Sequence, residues 1–175
     1  ARTKGYGLEE LKIDLRPNGT IEVNEFLQTK YPNIFACGDV TGPYQFTHTA
    51  SHQAWFCAVN GLFGSFKKFK VDYSVIPWCT YTDPEVATVG LSEQAAKKKG
   101  IKYDVTRYEL DDLDRAIADG TDHGFVKILT IPGKDKIIGA TIAGAQASNL
   151  LIEFVAAMKH GFGLNKILGS IHVYP

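Results

Sequence analysis

The order of pattern signals in this 175-residue sequence predicts an α+β fold: an antiparallel sheet with helices on one side, preceded by the remnant of an α/β unit. Three observations carry that prediction. From residue 75 onward, strand-like runs joined by hairpin-length connections come first, and the longest amphipathic segment comes last. Before residue 64, a short apolar run ends on glycine and aspartate and leads through a loop into a helical pattern, one strand-to-helix step of an open α/β sheet. The length exceeds the modal domain size, so it accommodates one large domain or one domain and part of another.

In the first part, residues 11–15 and 20–23 alternate like short strands about the turn Arg16-Pro17-Asn18-Gly19, a hairpin signal. Ile34-Phe35-Ala36-Cys37 then reads as a buried strand closed by Gly38-Asp39. After the loop Thr41-Gly42-Pro43, residues 47–62 place Ala50, Ala54, Trp55, Ala58 and Val59 at helical spacing, with Gly61 or Gly64 as the stop. The basic, polar stretch 65–70 is expected to link residues 1–64 to a second domain, 71–175.

In that second domain, residues 75–82 and 86–91 read as strands about the turn Asp83-Pro84-Glu85. Ser92 is a good helix cap, Glu93 suits the first turn, Lys97 to Lys99 suit the last, and Gly100 closes the helix. Residues 103–108 read as a strand and 111–118 as a short helix with Leu113 and Ile117 one turn apart. Residues 125–131 and 136–142 flank Pro132-Gly133-Lys134-Asp135, a hairpin with a four-residue loop. From Ser148, the stripe Leu151, Phe154, Val155 and Met158 makes a helix that ends at Gly161.

Composition narrows the function classes. Apolar residues make up 45 % and charged residues 22 %, enough to build a core and too ordered a mixture for a disordered chain. Nineteen basic side chains balance nineteen acidic ones, so no cationic field holds nucleic acid or an anionic membrane. The most hydrophobic stretch, 150–158, is too short to span a bilayer and contains Glu153. Cys37, Cys57 and Cys79 are an odd count at wide spacing, which suits free thiols in a reducing compartment, and the expected location is cytoplasmic.

The residues that carry chemistry lie around Gly38 and Asp39. A strand delivers Asp39 to its carboxyl end, where open α/β sheets bind ligands, and an ionised carboxylate there can accept from two hydroxyls. Gly38 lets a ligand approach the backbone, and a polyol fits this pair better than a phosphate. The helix beginning near Thr47 adds the positive end of its dipole, able to stabilise a developing anion. Taken alone, Gly-Asp after a strand also fits a plain capped turn.

Thr29, the run Ile34-Phe35-Ala36-Cys37 and Gly38-Asp39 together resemble the second flavin-binding motif of the pyridine nucleotide-disulfide oxidoreductases. Residues 42–50, Gly-Pro-Tyr-Gln-Phe-Thr-His-Thr-Ala, resemble the segment that lays the family's next helix under the flavin. Residues 77–91, from Pro-Trp-Cys-Thr-Tyr to Val-Gly-Leu, are similar to the opening of the family's dimerisation domain, and Gly124 to Lys127, Ile138 to Ala140 and the helix 148–160 fit its remainder. Within the family the sequence looks most like the mercuric-reductase-like and dihydrolipoamide-dehydrogenase-like branch. The resemblance implies a homodimer formed through residues 71–175 and a flavin site in which Asp39 binds the ribityl hydroxyls. Gly38 and the backbone from Gln45 through Phe46 and Thr47 to His48 would contact the cofactor.

The family's tail carries a histidine directly before a proline, reaching into the partner's active site as an acid/base group. Here the tail is Ile171-His172-Val173-Tyr174-Pro175, so Tyr174 stands at the histidine position and His172 two residues earlier. On an extended segment the two point to the same side. Tyrosine is a weak base near neutrality and serves instead as a donor or a steering group. His48 and His52 are four apart, a metal-like spacing without a third ligand, so no metal site is expected. None of the cysteines has a resolving thiol nearby in sequence.

The family's reaction also needs a Gly-x-Gly-x-x-Gly loop for the flavin pyrophosphate, a redox-active cysteine pair and a second glycine-rich loop for the nicotinamide. Gly5-Tyr6-Gly7 and Gly161-Phe162-Gly163 lack the final glycine. The expectation is therefore a C-terminal fragment of an enzyme that uses FAD and NAD(P)H, inactive and without bound cofactor by itself, with both chain ends as cut points. The alternative is a natural, non-catalytic dimerisation module that binds no flavin.

Overall fold

The computed structural model describes residues 1–174 and divides into two compact units, Ala1–Asp72 and a second beginning at Tyr73. Pro175, the last residue of the tail motif, lies outside the described residues.

In the first unit, the hairpin about Arg16 to Gly19 forms, but as a single antiparallel bridge between Leu15 and Ile21 rather than two strands. Its turn is closed by Gly19 N–H donating to the Arg16 carbonyl at 2.8 Å. The expected buried strand at 34–37 is likewise a correction. These residues are half-buried and pair only through the bridge Gln28 to Phe35, with Thr29 N–H donating to the Ile34 carbonyl and Ala36 N–H to the Leu27 carbonyl. All the ladder bonds go to one neighbour, residues 27–29, so no sheet develops. Helix α1 spans Thr47–Phe63 and is capped by Gly64.

The buried face of α1 differs from the apolar stripe read in the sequence. Thr49, Gln53, Phe56 and Asn60 point inward, while Ala54, Trp55 and Ala58 are exposed. Gln53 and Asn60 take inward positions because the backbone beneath needs partners. Asn60 Nδ2 donates to the carbonyls of Phe26 (3.2 Å) and Phe69 (2.8 Å), and Asn60 Oδ1 accepts from Phe69 N–H at 2.7 Å. The 65–70 stretch is thus held to the first unit, aided by the Lys70–Glu25 ion pair at 2.7 Å and Val71 N–H on the Glu25 carbonyl.

The second unit is a five-stranded antiparallel sheet in the order β1-β2-β5-β4-β3. The strands are β1 Pro77–Thr80, β2 Glu85–Gly90, β3 Asp104–Glu109, β4 Phe125–Thr130 and β5 Ile137–Gly144. Register explains the core. Cys79 opposes Ala87, Ala87 opposes Ile142, and Ile142 opposes Val126; Val89 opposes Ala140, and Ala140 opposes Ile128. These pairs line one face, on which α4 (Ala147–His160) packs Leu151, Phe154, Val155 and Met158 as its periodicity predicts. Gly161 ends α4 at φ +73°. On the other face, Thr88 and Thr141 share a hydroxyl contact at 3.2 Å, and Lys127 meets Glu93 at 2.8 Å.

Helix α2 (Glu93–Lys98) starts as expected, with Ser92 Oγ accepting from Ala95 N–H at 3.1 Å. The expected helix 111–118 is instead a 3-10 turn, Leu110–Asp112, followed by α3, Asp114–Asp119. Leu110 and Ala116 are buried there, whereas Leu113 and Ile117 are exposed. The 132–135 loop joins β4 to β5, closed by Ile131 N–H on the Lys136 carbonyl at 3.0 Å. A further short helix, α5 (Leu164–Leu168), docks on that loop through Leu164 N–H to the Asp135 carbonyl and Asn165 N–H to Asp135 Oδ2.

Candidate functional site

In the first unit the sequence-expected residues gather at one turn. Gly38–Val40 is a 3-10 turn rather than a strand end, with Gly38 buried at φ +78°. Its N–H donates to Gln53 Oε1 at 2.5 Å, and its carbonyl accepts from both Thr41 N–H and Thr41 Oγ1. A Cβ on Gly38 would stand 3.3 Å from Ala50 Cβ, so only glycine combines this backbone angle with so close an approach to the first turns of α1. The turn is anchored from below by Arg16, whose Nη1 donates to the Thr41 carbonyl at 2.8 Å, and by Ile21 N–H on the Val40 carbonyl at 2.7 Å.

Asp39 projects from this anchored turn into solvent and accepts no hydrogen bond from the described residues. Beside it, α1 begins at Thr47 with no side-chain cap and no acidic residue in its first turn, leaving the positive end of its dipole uncompensated. Gln45, Thr47 and His48 are exposed and Phe46 half-buried, with the Phe46 and His48 rings stacked at 5.1 Å. Thr49 Oγ1 is buried without a partner in the same turn. A rigid turn, an available carboxylate and an uncapped helix start suit a ligand that offers hydroxyls and carries or develops negative charge. The donor set and the glycine cradle therefore fit the flavin that the motif implies.

His48 and His52 are both exposed, His52 edge-on to Phe56, and among the described residues no three acidic, histidine or cysteine side chains gather to hold a metal. The structure does bring together two residues that the sequence left apart. The Cys57 thiol is pushed up to about 12 by burial and by the neighbouring Cys37.

In the second unit the tail residues lie against their own subunit. His172 Nε2 meets Glu153 Oε1 at 2.8 Å, and the Tyr174 hydroxyl donates to Asp114 Oδ2 at 2.6 Å. Glu153 raises the imidazole above its ordinary range by hydrogen bonding and by charge, and Asp114 raises the Tyr174 phenol by accepting a hydrogen bond from it. Ile171 and Val173, on either side of His172, are fully exposed. Neither Glu153 nor Asp114 was picked out as a site residue in the sequence; the one signal was an acid inside the apolar stretch 150–158. A cavity of about 410 Å³ bordered by Leu110, Leu113, Ala116 and Leu150 holds none of the expected site residues.

With that geometry in hand, comparison with known proteins gives a consistent result. Residues 76–175 match the profile described as pyridine nucleotide-disulphide oxidoreductase, dimerisation domain, and residues 1–54 match the pyridine nucleotide-disulphide oxidoreductase profile. The mitochondrial dihydrolipoyl dehydrogenase of Homo sapiens is 39 % identical over 99 % of the chain and 33 % of its own length. The dihydrolipoyl dehydrogenase of Chlamydia muridarum is 36 % identical over 99 % of the chain and 37 % of its own. The chain thus spans about a third of the length of the curated relatives it matches. Among solved structures, LpdA from Mycobacterium tuberculosis superposes with a TM-score of 0.89 at 25 % identity, covering 99 % of the chain and 37 % of LpdA. The HOCl-induced flavoprotein disulfide reductase RclA from Escherichia coli shares the fold, with a TM-score of 0.89 at 22 % identity over 100 % of the chain and 40 % of RclA.

Proposed function

Because the chain belongs to the pyridine nucleotide-disulphide oxidoreductase family, we propose that it is the carboxyl-terminal part of an FAD-dependent enzyme. That enzyme moves electrons from NAD(P)H to a disulfide or metal-ion acceptor. Residues 1–64 complete the flavin-binding domain, 65–70 connect, and 71–175 form the homodimer. The chain by itself retains no flavin and turns over no substrate, and the enzyme works in the cytoplasm.

The observation that carries this reading is the Gly38–Val40 turn seated on the first turns of α1, with Asp39 free to accept. Asp39 would hold ribityl hydroxyls, while the backbone from Gln45 to His48 and the start of α1 would contact the ring and favour negative charge on it. The bound flavin would supply two-electron transfer between the nicotinamide and a thiol pair. Tyr174 acts as a neutral donor, since its phenol is held above the ordinary tyrosine range. His172 is the group of the tail that exchanges protons near neutrality.

The test is Asp39→Ala in the intact protein, read as flavin retained after gel filtration and as an FAD dissociation constant. Loss of a charge-assisted hydrogen bond worth about 1.5–3 kcal/mol weakens FAD binding at least about tenfold. Wild-type affinity in the variant, or an intact protein that never binds FAD, overturns the proposal. For the acceptor, the names of the relatives make a lipoyl-type disulfide the first to assay, and a mercuric salt, which only the sequence resemblance implies, the second.

A further inference from the structure

Cys37 and Cys57 meet where the 34–38 segment crosses α1. Contacts on either side fix the crossing: Gly38 N–H donates to Gln53 Oε1 at 2.5 Å, and Cys57 Sγ–H donates to the Ala36 carbonyl at 3.9 Å. Further along, a Cβ on Gly61 would lie 3.7 Å from the Phe35 ring. Cys37 is therefore the residue between two anchored neighbours, on the crossing where Cys57 meets the Ala36 carbonyl, and it lies near enough to help raise the Cys57 thiol. Both thiols are half-buried, within reach of a small reagent. Cys79 belongs to the second unit, packed against the sheet core.

We propose that Cys37 and Cys57 form a redox-modifiable pair that closes to a disulfide across this crossing when the protein meets a low-molecular-weight disulfide. The thiolate of Cys37 attacks the reagent, forms a mixed disulfide and expels one reagent thiolate. The Cys57 sulfur, after losing its proton, then attacks the Cys37 sulfur and expels the second. Two protein S–H bonds and one reagent S–S bond break, one protein S–S bond forms, and the two electrons and two protons leave as two reagent thiols. The closed bond ties the turn that carries Asp39 to α1. Burial holds Cys57 up to about 12, so the second step is the slow one at neutral pH and quickens as pH rises.

The experiment treats the intact protein with oxidised glutathione across a pH series, alkylates free thiols with iodoacetamide in denaturant, and digests with trypsin. The stretch 31–67 contains both cysteines and no lysine or arginine before Lys67, so it is released as one peptide. The expected product carries no alkyl group, no glutathione and two hydrogen atoms fewer than the reduced peptide, with a yield that climbs with pH. In Cys37→Ser the same treatment cannot close the bond, and Cys57 carries an alkyl group or glutathione. Two alkyl groups on the wild-type peptide throughout the series, or glutathione stably retained on either cysteine, overturns the proposal.

Discussion

Single side chains decide how firmly each half of the candidate site is held. His172 and Glu153 make an exposed pair in which the carboxylate raises the imidazole by hydrogen bonding and charge. A raised histidine contributes stability that is complete below its ordinary value of about 6.5 and is lost as pH rises through the folded value. Glu153→Gln therefore moves the His172 titration midpoint, followed by ring-proton NMR, down toward the ordinary value, and an unmoved midpoint means that the tail does not rest on α4. Asn60 is a stronger anchor, because it is buried and saturates three backbone groups of Phe26 and Phe69. Asn60→Ala leaves those groups short of partners and costs about 2 kcal/mol in denaturant unfolding. This residue also shows why the inward face of α1 was illegible. Hydrophobic periodicity selected Ala54, Trp55 and Ala58, while Gln53 and Asn60 are fixed inward by loop backbone that must be satisfied, which no periodicity records. The Gly38-Asp39 turn was legible because its chemistry is local, and only its 3-10 geometry was not.

At the scale of elements, the sheet of the second unit was the most readable part of the chain, since alternation and helical period both report the same buried face. Ala87, Val89, Ala140 and Ile142 meet in register and receive α4 along its expected stripe. The short elements were less readable: the helix expected over 111–118 begins at Asp114 after a 3-10 turn, and α5 has too few residues for a period and is placed by the contacts of Asp135 with Leu164 and Asn165. Close packing between β5 and the segment after β2 rests on Gly139, where a Cβ would stand 1.9 Å from the Leu91 carbonyl oxygen. Gly139→Ala must therefore push two strands apart and is expected to cost about 3 kcal/mol by overpacking. Gly133 in the β4 to β5 loop is the matched comparison. It has φ +67° and open space around it, so Gly133→Ala costs only the left-handed backbone penalty of about 1 kcal/mol. Equal losses in thermal or denaturant unfolding would show that the Gly139 contact is not what spaces these strands.

For the molecule as a whole, the decisive quantity is the apolar surface that each unit leaves uncovered. In the second unit, Leu113 just before α3, Ile117 of α3 and Leu150 and Ile152 of α4 are all exposed, and Leu113 and Leu150 border the same 410 Å³ cavity. Exposed apolar surface of this kind suits an association site, and in the proposed homodimer with twofold symmetry every residue on it is used twice. A leucine buried on association contributes about 1.5 kcal/mol or more, so losing one from each subunit removes about 3 kcal/mol, close to a hundredfold in the dimer constant. Leu150→Glu also places two carboxylates at the shared surface, adding repulsion that salt screens. Sedimentation equilibrium of the variant should accordingly show a dimer weakened by about a hundredfold and partly rescued by high salt. Leu62→Glu on α1 of the first unit, equally a leucine-to-charge change on an exposed site, should leave the dimer constant where it was. If Leu150→Glu dimerises like the wild type, the face made by α3 and α4 is not the surface that joins the subunits of the proposed dimer.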